Sequence, residues 1–213
     1  MRTTMERNER KLLLLPGMSP TQRAFDRLAP LLQGELLRVN WISPGKARTV
    51  QEYSRFLITD LNLTGPCDVV GVSFGGIIAQ EIAPLLDARI CIVVASIGST
   101  AELPQPWRWL RFLPTGMCRA ALGFVGACAS GQMFHRSNPD GEWYRWATAA
   151  TLSWKPSGPS SVKCTRIHGD RDRTFPSGHL FSDHVIEGGG HLITMTHAES
   201  LAEIICHYRA SKE

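Results

Sequence analysis

The chain has 213 residues, 43% hydrophobic and 20% charged, with a formal net charge of +4. Such values describe a globular protein with enough chain for one domain and a substantial core, and they exclude disordered and collagen-like classes. The basic residues are scattered and accompany no nucleic-acid motif, so they read as solvated surface and no nucleic acid is expected as a partner.

The first ten residues are polar and carry acids, and the apolar run Leu12–Leu15 stops at Pro16. That run is too short for a signal peptide or a membrane span, so no membrane association is expected. Lys11–Leu15 reads instead as a strand covered on both faces. Ser19, Pro20 and Gln22 then suggest a capping box opening a helix, with Phe25, Leu28, Leu31 and Leu32 on its apolar side and Gly34 at its end. Glu35–Trp41 is a second predicted strand. Thr49 and Glu52 form another capping box, for a helix reaching about Leu61.

Asp68–Val72 is the next predicted strand, and the stretch Gly71-Val72-Ser73-Phe74-Gly75 carries it into a helix beginning near Ile77. Strand and helix backbones pass close at such a turn, and glycine is the residue that leaves room there. The central serine is thereby lifted out at the C-terminal edge of a sheet, in a conformation whose strain tends to mark function. Pro84 predicts a stop after Ala83, and Arg89–Ala95 is another buried strand. The alternation of strand and helix to this point, four strands in all, specifies a parallel sheet with helices on both faces, and two further strands predicted below make it a mostly parallel sheet of about six.

Between Ser99 and about Ser161 no strand signal appears, and five of the six tryptophans fall here: Trp107, Trp109, Trp143, Trp146 and Trp154. Helices are predicted over Thr115–Ala129 and from Asp140 to about Trp154. An insertion this long between strands, over about 100–160, reads as a helical lid or pocket wall within a single domain. Strand alternation returns at Ser161–His168, a turn-rich loop from Gly169 to Pro176 carries Asp170 and Asp172, and His184–Glu187 is a short last strand leading through Gly188-Gly189-Gly190 to His191. Thr196 and Glu199 suggest a third capping box, opening a terminal helix with Leu201, Ile204, Ile205 and Tyr208 inward. Six cysteines (Cys67, Cys91, Cys118, Cys128, Cys164, Cys206) form no Cys-x-x-Cys pair, which predicts reduced thiols and a cytoplasmic setting.

A serine hydroxyl attacks only with a base to take its proton, a carboxylate to orient that base and N–H donors for the oxyanion. Candidates arrive in the order Ser73, Asp170 or Asp172, His191, each just past the C-terminal end of a predicted strand. In a parallel sheet those ends share one edge. His168, at a strand end below the acid loop, reads as a structural hydrogen-bonding residue. His179, His184 and His197 lie near the same edge without the glycine turn that precedes His191, and His135 and His207 have no motif. No helical His pair at metal-binding spacing is present, so neither metal nor cofactor is expected.

The motifs Gly71-Val72-Ser73-Phe74-Gly75, Gly169-Asp170-Arg171-Asp172 with Pro176 beyond, and Gly190-His191 resemble those of the α/β-hydrolase superfamily, over nearly the whole chain from Leu12. The resemblance implies Ser73 as nucleophile, His191 as base, Asp172 as orienting acid with Asp170 as its competitor, and an oxyanion hole from the N–H groups of Phe74 and Met18. Pro16-Gly17 stands where many relatives carry His-Gly, the usual first two strands are absent, and Asp172 and His191 are unusually close, so the helix between the last two strands is short or missing. The implied function is hydrolysis of a small or medium carboxylic ester. Thioester hydrolysis, C–C bond hydrolysis and small-molecule reception without turnover are the alternatives that the same residues allow.

Overall fold

Four consecutive leucines, each fully buried, explain how the sheet is built. Side chains alternate along a strand, so Leu13 and Leu15 enter one hydrophobic layer while Leu12 and Leu14 enter the other. Full burial of a leucine stabilises the fold by roughly 2 kcal/mol, so the run is secured on both faces. A computed structural model describes residues 10–18, 22–105, 141–158, 161–176, 178 and 180–211. Six parallel strands form one sheet: β1 (Lys11–Leu15), β2 (Leu36–Arg38), β3 (Cys67–Val72), β4 (Cys91–Val94), β5 (Cys164–Gly169) and β6 (His184–Ile186). They lie in the order β2-β1-β3-β4-β5-β6.

One face carries α1 (Val50–Asp60), α2 (Phe74–Ile82) and α3 (Gly141–Ser153), whose Tyr53, Leu57, Ile77, Ile78 and Trp143 pack with Leu13, Val69 and Val93. The other face carries α4 (Ile193–Thr196) and α5 (Ala198–Ser211), whose Ile193, Leu201 and Ile205 join Phe25, Leu28, Val70 and Ile92. After β1 the chain runs outward to edge strand β2, then returns to β3 on the other side of β1. The direction of winding therefore reverses between β1 and β3, which opens a crevice at the C-terminal ends of those two strands.

The segment after β1 departs from the expected helix. Gln22–Phe25 and Ala29–Leu31 are separate 3₁₀ turns. Pro30 lacks an N–H, and its ring collides with the preceding turn of an α-helix, so the helix cannot run through it. Phe25, Leu28 and Leu32 are nonetheless buried, while Leu31 is 41% exposed. The expected cap at Ser19 and Pro20, the helix over Thr115–Ala129, and Trp107, Trp109, His135 and His179 lie outside the described residues.

Strand β2 is three residues long, shorter than the expected Glu35–Trp41. At α1 the Glu52 N–H donates to Thr49 Oγ1 at 3.1 Å, while the Glu52 carboxylate accepts from the Arg48 N–H at 2.6 Å, one residue before the expected partner. Pro84 ends α2 in a 3₁₀ turn over Ala83–Leu86. The third capping box does not form: Thr196 closes α4, its hydroxyl donates to the Leu192 carbonyl at 3.2 Å, and α5 starts at Ala198. Among the described residues no α-helix lies between β5 and β6, in line with the short or missing helix expected there.

Two buried carboxylates are structural. Asp68, at the edge of the sheet opposite the crevice, accepts from the N–H groups of Arg89 and Ile90 at 3.2 and 3.4 Å and from the Arg89 guanidinium at 3.3 Å. Glu81, on α2, accepts from the Trp154 indole at 2.8 Å, the Ser157 N–H at 3.2 Å and Gln51 at 3.0 Å, which ties the chain leaving α3 to α2. Among the described residues, no helix is long and apolar enough to cross a membrane.

Candidate active site

Strand β3 ends at Val72 and α2 begins at Phe74, so one residue makes the whole turn. That residue is Ser73, held at φ 53° and ψ −118°. A non-glycine side chain there is strained, and the strain is tolerated because its surroundings over-determine it. A Cβ on Gly71 would collide with the Gly75 carbonyl, and a Cβ on Gly75 with the carbonyls of Leu15 and Pro16. The two glycines therefore let α2 sit against both its own strand and the loop after β1. The Ser73 N–H donates to the Val94 carbonyl at 2.9 Å, and the buried Ser96 hydroxyl donates to the Ser73 carbonyl at 2.6 Å.

Residues expected at the site from three distant segments meet here. Nε2 of His191 lies 3.0 Å from the Ser73 hydroxyl, and its Nδ1 lies 2.8 Å from Oδ2 of Asp172. An ionised Asp172 accepts from Nδ1–H, which leaves Nε2 as the acceptor for the serine proton. The other carboxylate oxygen, Oδ1, accepts from the N–H groups of Thr174 and Phe175 at 2.8 and 2.9 Å. Burial alone would raise the Asp172 carboxyl. The hydrogen bond from His191, that ring's charge and the two backbone donors outweigh it and hold Asp172 below the ordinary value. Asp172 is 4% exposed. Asp170 is exposed, and its backbone N–H donates to the Ile186 carbonyl at 3.2 Å. The Phe175 ring lies edge-on to His191, with centroids 5.4 Å apart.

The loop after β1 runs alongside the serine. A Cβ on Gly17 would stand 3.5 Å from Ser73 Cβ and 4.0 Å from its hydroxyl. Among the described residues, the N–H groups of Met18 and Phe74 donate to no protein acceptor. The Phe74 N–H also opens α2, where the helix dipole favours negative charge. Beside these groups stands an aromatic cluster. Trp41 stacks on Trp143 at 5.8 Å and 23°, and Phe74 meets Trp143 edge-on at 5.7 Å. Trp146 packs on Tyr53 at 4.5 Å and donates its indole N–H to the Ala47 carbonyl at 2.7 Å.

His184 bonds the Tyr208 hydroxyl at 3.0 Å, and His197 bonds Thr196 at 2.9 Å. His168 is fully buried, yet neither ring nitrogen has a hydrogen-bond partner among the described residues, contrary to the structural hydrogen-bonding role expected for it. Burial and then the charge of Arg166 push its pKa down to about 4, so the ring is neutral. Arg166 forms a bidentate pair with Glu102, with Nη1 at 2.9 Å from Oε1. Among the described residues, no group of three His, Cys, Asp or Glu side chains is arranged to hold a metal ion.

Sequence reasoning missed Ser96 and Trp41. Ser96 follows a strand without any motif, and the sequence signal that could have pointed to it is Gly76, where a Cβ would stand 2.6 Å from the Ser96 Cβ. Trp41 is the one tryptophan outside the insertion, and its indole N–H donates to the Gly17 carbonyl at 2.7 Å.

Solved structures with this architecture catalyse different reactions. A thermophilic esterase from Thermogutta terrifontis is 18% identical with a TM-score of 0.69, over 95% of this chain and 90% of its own. YbtT, a type II thioesterase from the yersiniabactin biosynthetic pathway, is 19% identical with a TM-score of 0.64, over 98% and 96%. A meta-cleavage product hydrolase from Pseudomonas fluorescens IP01 is 12% identical with a TM-score of 0.59, over 96% and 92%. At such identities the likeness establishes the fold and leaves the reaction open. No curated protein matches the chain by sequence. The model of the Alpha/beta hydrolase family matches residues 12–204, from the first buried leucine through the first half of α5, and this chain belongs to that family.

Proposed function

We propose that the protein is a serine hydrolase that cleaves a small or medium carboxylic ester through an acyl-enzyme. Ser73 attacks the acyl carbon while Nε2 of His191 takes the hydroxyl proton. The tetrahedral oxyanion is held by the N–H groups of Met18 and Phe74. Collapse of the intermediate breaks the bond to the alkoxide, which leaves with the proton from His191. Water then attacks the acyl-enzyme, with His191 again accepting the proton, and as the bond to Ser73 breaks His191 returns that proton to the serine oxygen while the acid leaves. Asp172 stays ionised throughout and holds the imidazole in one tautomer. The aromatic face formed by Phe74, Trp143 and Trp146 supplies the apolar wall for the acyl chain, the part that the insertion over about 100–160 plays in this reading.

One observation carries the proposal: an unbroken relay of 3.0 and 2.8 Å from Ser73 through His191 to a buried Asp172, beside two N–H groups with no protein acceptor among the described residues. The test is turnover of short p-nitrophenyl esters and matched thioesters, with fluorophosphonate labelling located by mass spectrometry. Ser73→Ala should lower ester turnover by at least about 10³-fold and abolish labelling. Full turnover in Ser73→Ala overturns the proposal. Rapid labelling of the native protein without turnover on any ester or thioester points instead to a receptor or scaffold.

A further inference from the structure

We propose that Trp41 is the positioning residue that aims the oxyanion donor of Met18; the inference rests on the hydrolase reading above. Trp41 donates its indole N–H to the Gly17 carbonyl at 2.7 Å. That carbonyl and the Met18 N–H are the two ends of one planar trans peptide unit, so they point in opposite directions and turn together. Whatever holds the carbonyl therefore holds the N–H. Glycine at 17 restrains this peptide less than any other residue would, and the loop in which it sits abuts the serine. Without an anchor, rotation of the peptide would swing the Met18 N–H away from the oxyanion.

Trp41 is itself held from several sides. It stacks on Trp143 of α3, meets Phe74 edge-on at 5.3 Å and packs against Tyr53 at 6.2 Å. One side chain thus holds the Gly17–Met18 peptide through a hydrogen bond and packs on the ring of Phe74, the residue that carries the other donor. Accepting the indole proton also polarises the Gly17–Met18 amide and makes its N–H a better donor. Among the described residues Trp41 makes no hydrogen bond to Ser73, His191 or Asp172; its indole N–H is given to Gly17. Its effect is confined to where the Met18 donor points, and α3 shares in that effect through the Trp143 stack.

The experiment compares the native protein with Trp41→Phe and with benzothienylalanine introduced at position 41, which keeps the bicyclic ring and the stacking but lacks the N–H. Kinetics on a short p-nitrophenyl ester should show kcat lowered about 10- to 100-fold in both variants, part of the effect of losing an oxyanion donor outright. KM should stay within about twofold. NMR relaxation should show a lower order parameter for the Met18 N–H in both. A raised KM with unchanged kcat would assign Trp41 to the substrate wall alone and overturn the proposal. So would a Met18 order parameter at the native value in the benzothienylalanine protein. If the native protein turns over no ester, the hydrolase reading falls, and the Met18 order parameters still decide whether Trp41 holds this peptide.

Discussion

Asp170 and Asp172 are two residues apart in one loop, yet only the second is buried and turned to His191. Turn-rich backbone has no periodicity, so the sequence offers both carboxylates and only the folded loop separates them. The Thr174 and Phe175 N–H groups that fasten Asp172 leave no mark in residue type. Asp172→Asn should keep the fold and lower kcat by about 10³- to 10⁴-fold, because an amide no longer fixes the tautomer of His191. Asp170→Asn should stay within about twofold, read in the same ester assay. His168 carries a different prediction. Its imidazole is neutral when folded, with a pKa of about 4 against 6.5 when unfolded, so the unfolded chain takes up the proton first. The stability this histidine allows is complete above pH 6.5 and declines as pH falls towards 4. Between pH 7 and pH 5 the loss is about 2 kcal/mol. Urea unfolding at the two pH values measures it, and His168→Leu should remove most of the difference.

At the scale of elements, legibility followed burial. Strands covered on both faces stand out as apolar runs: β1 spans the five residues expected, and β3 starts one residue early. Elements that depend on a local cap or a single proline were harder to read. Pro30 breaks the segment after β1 into 3₁₀ turns, although its buried residues keep a helix-like spacing. Thr196 has the sequence of a cap, but the short helix before it claims its hydroxyl. The turn at Ser73 was legible because its glycines answer to backbone and not to side chains. Gly75→Ala sets a methyl group against the carbonyls of Leu15 and Pro16, neither of which can move aside as a side chain would. We expect a loss of about 3 kcal/mol or more, with activity falling further as the loop bearing Met18 is displaced. Gly178→Ala, where a Cβ meets nothing within 4 Å, is the control and should melt as the native protein does.

At the scale of the molecule, the sheet gathers residues that the sequence keeps apart. The reversal of winding between β1 and β3 puts the Gly17–Met18 loop beside Ser73, and the order of motifs along the chain already implied a shared edge. What the order could not convey is the bracing from the far side: Trp41 from the loop after β2, and Glu81 gripping Trp154. These contacts join segments with no common motif.

The strand order has a further consequence for heat. Ser73 hangs from β3, which has a neighbour on each side, whereas His191 follows β6, a three-residue strand at the margin of the sheet. Val185 on that margin is 58% exposed, and Phe181 just before it is 69% exposed. Segments with so little cover fray first on warming. On the proposed mechanism, ester turnover should therefore fade several degrees below the circular-dichroism midpoint and return on cooling; coincident curves would contradict this. The proposed nucleophile would then outlast its proposed base, making the working temperature a property of the strand at this margin.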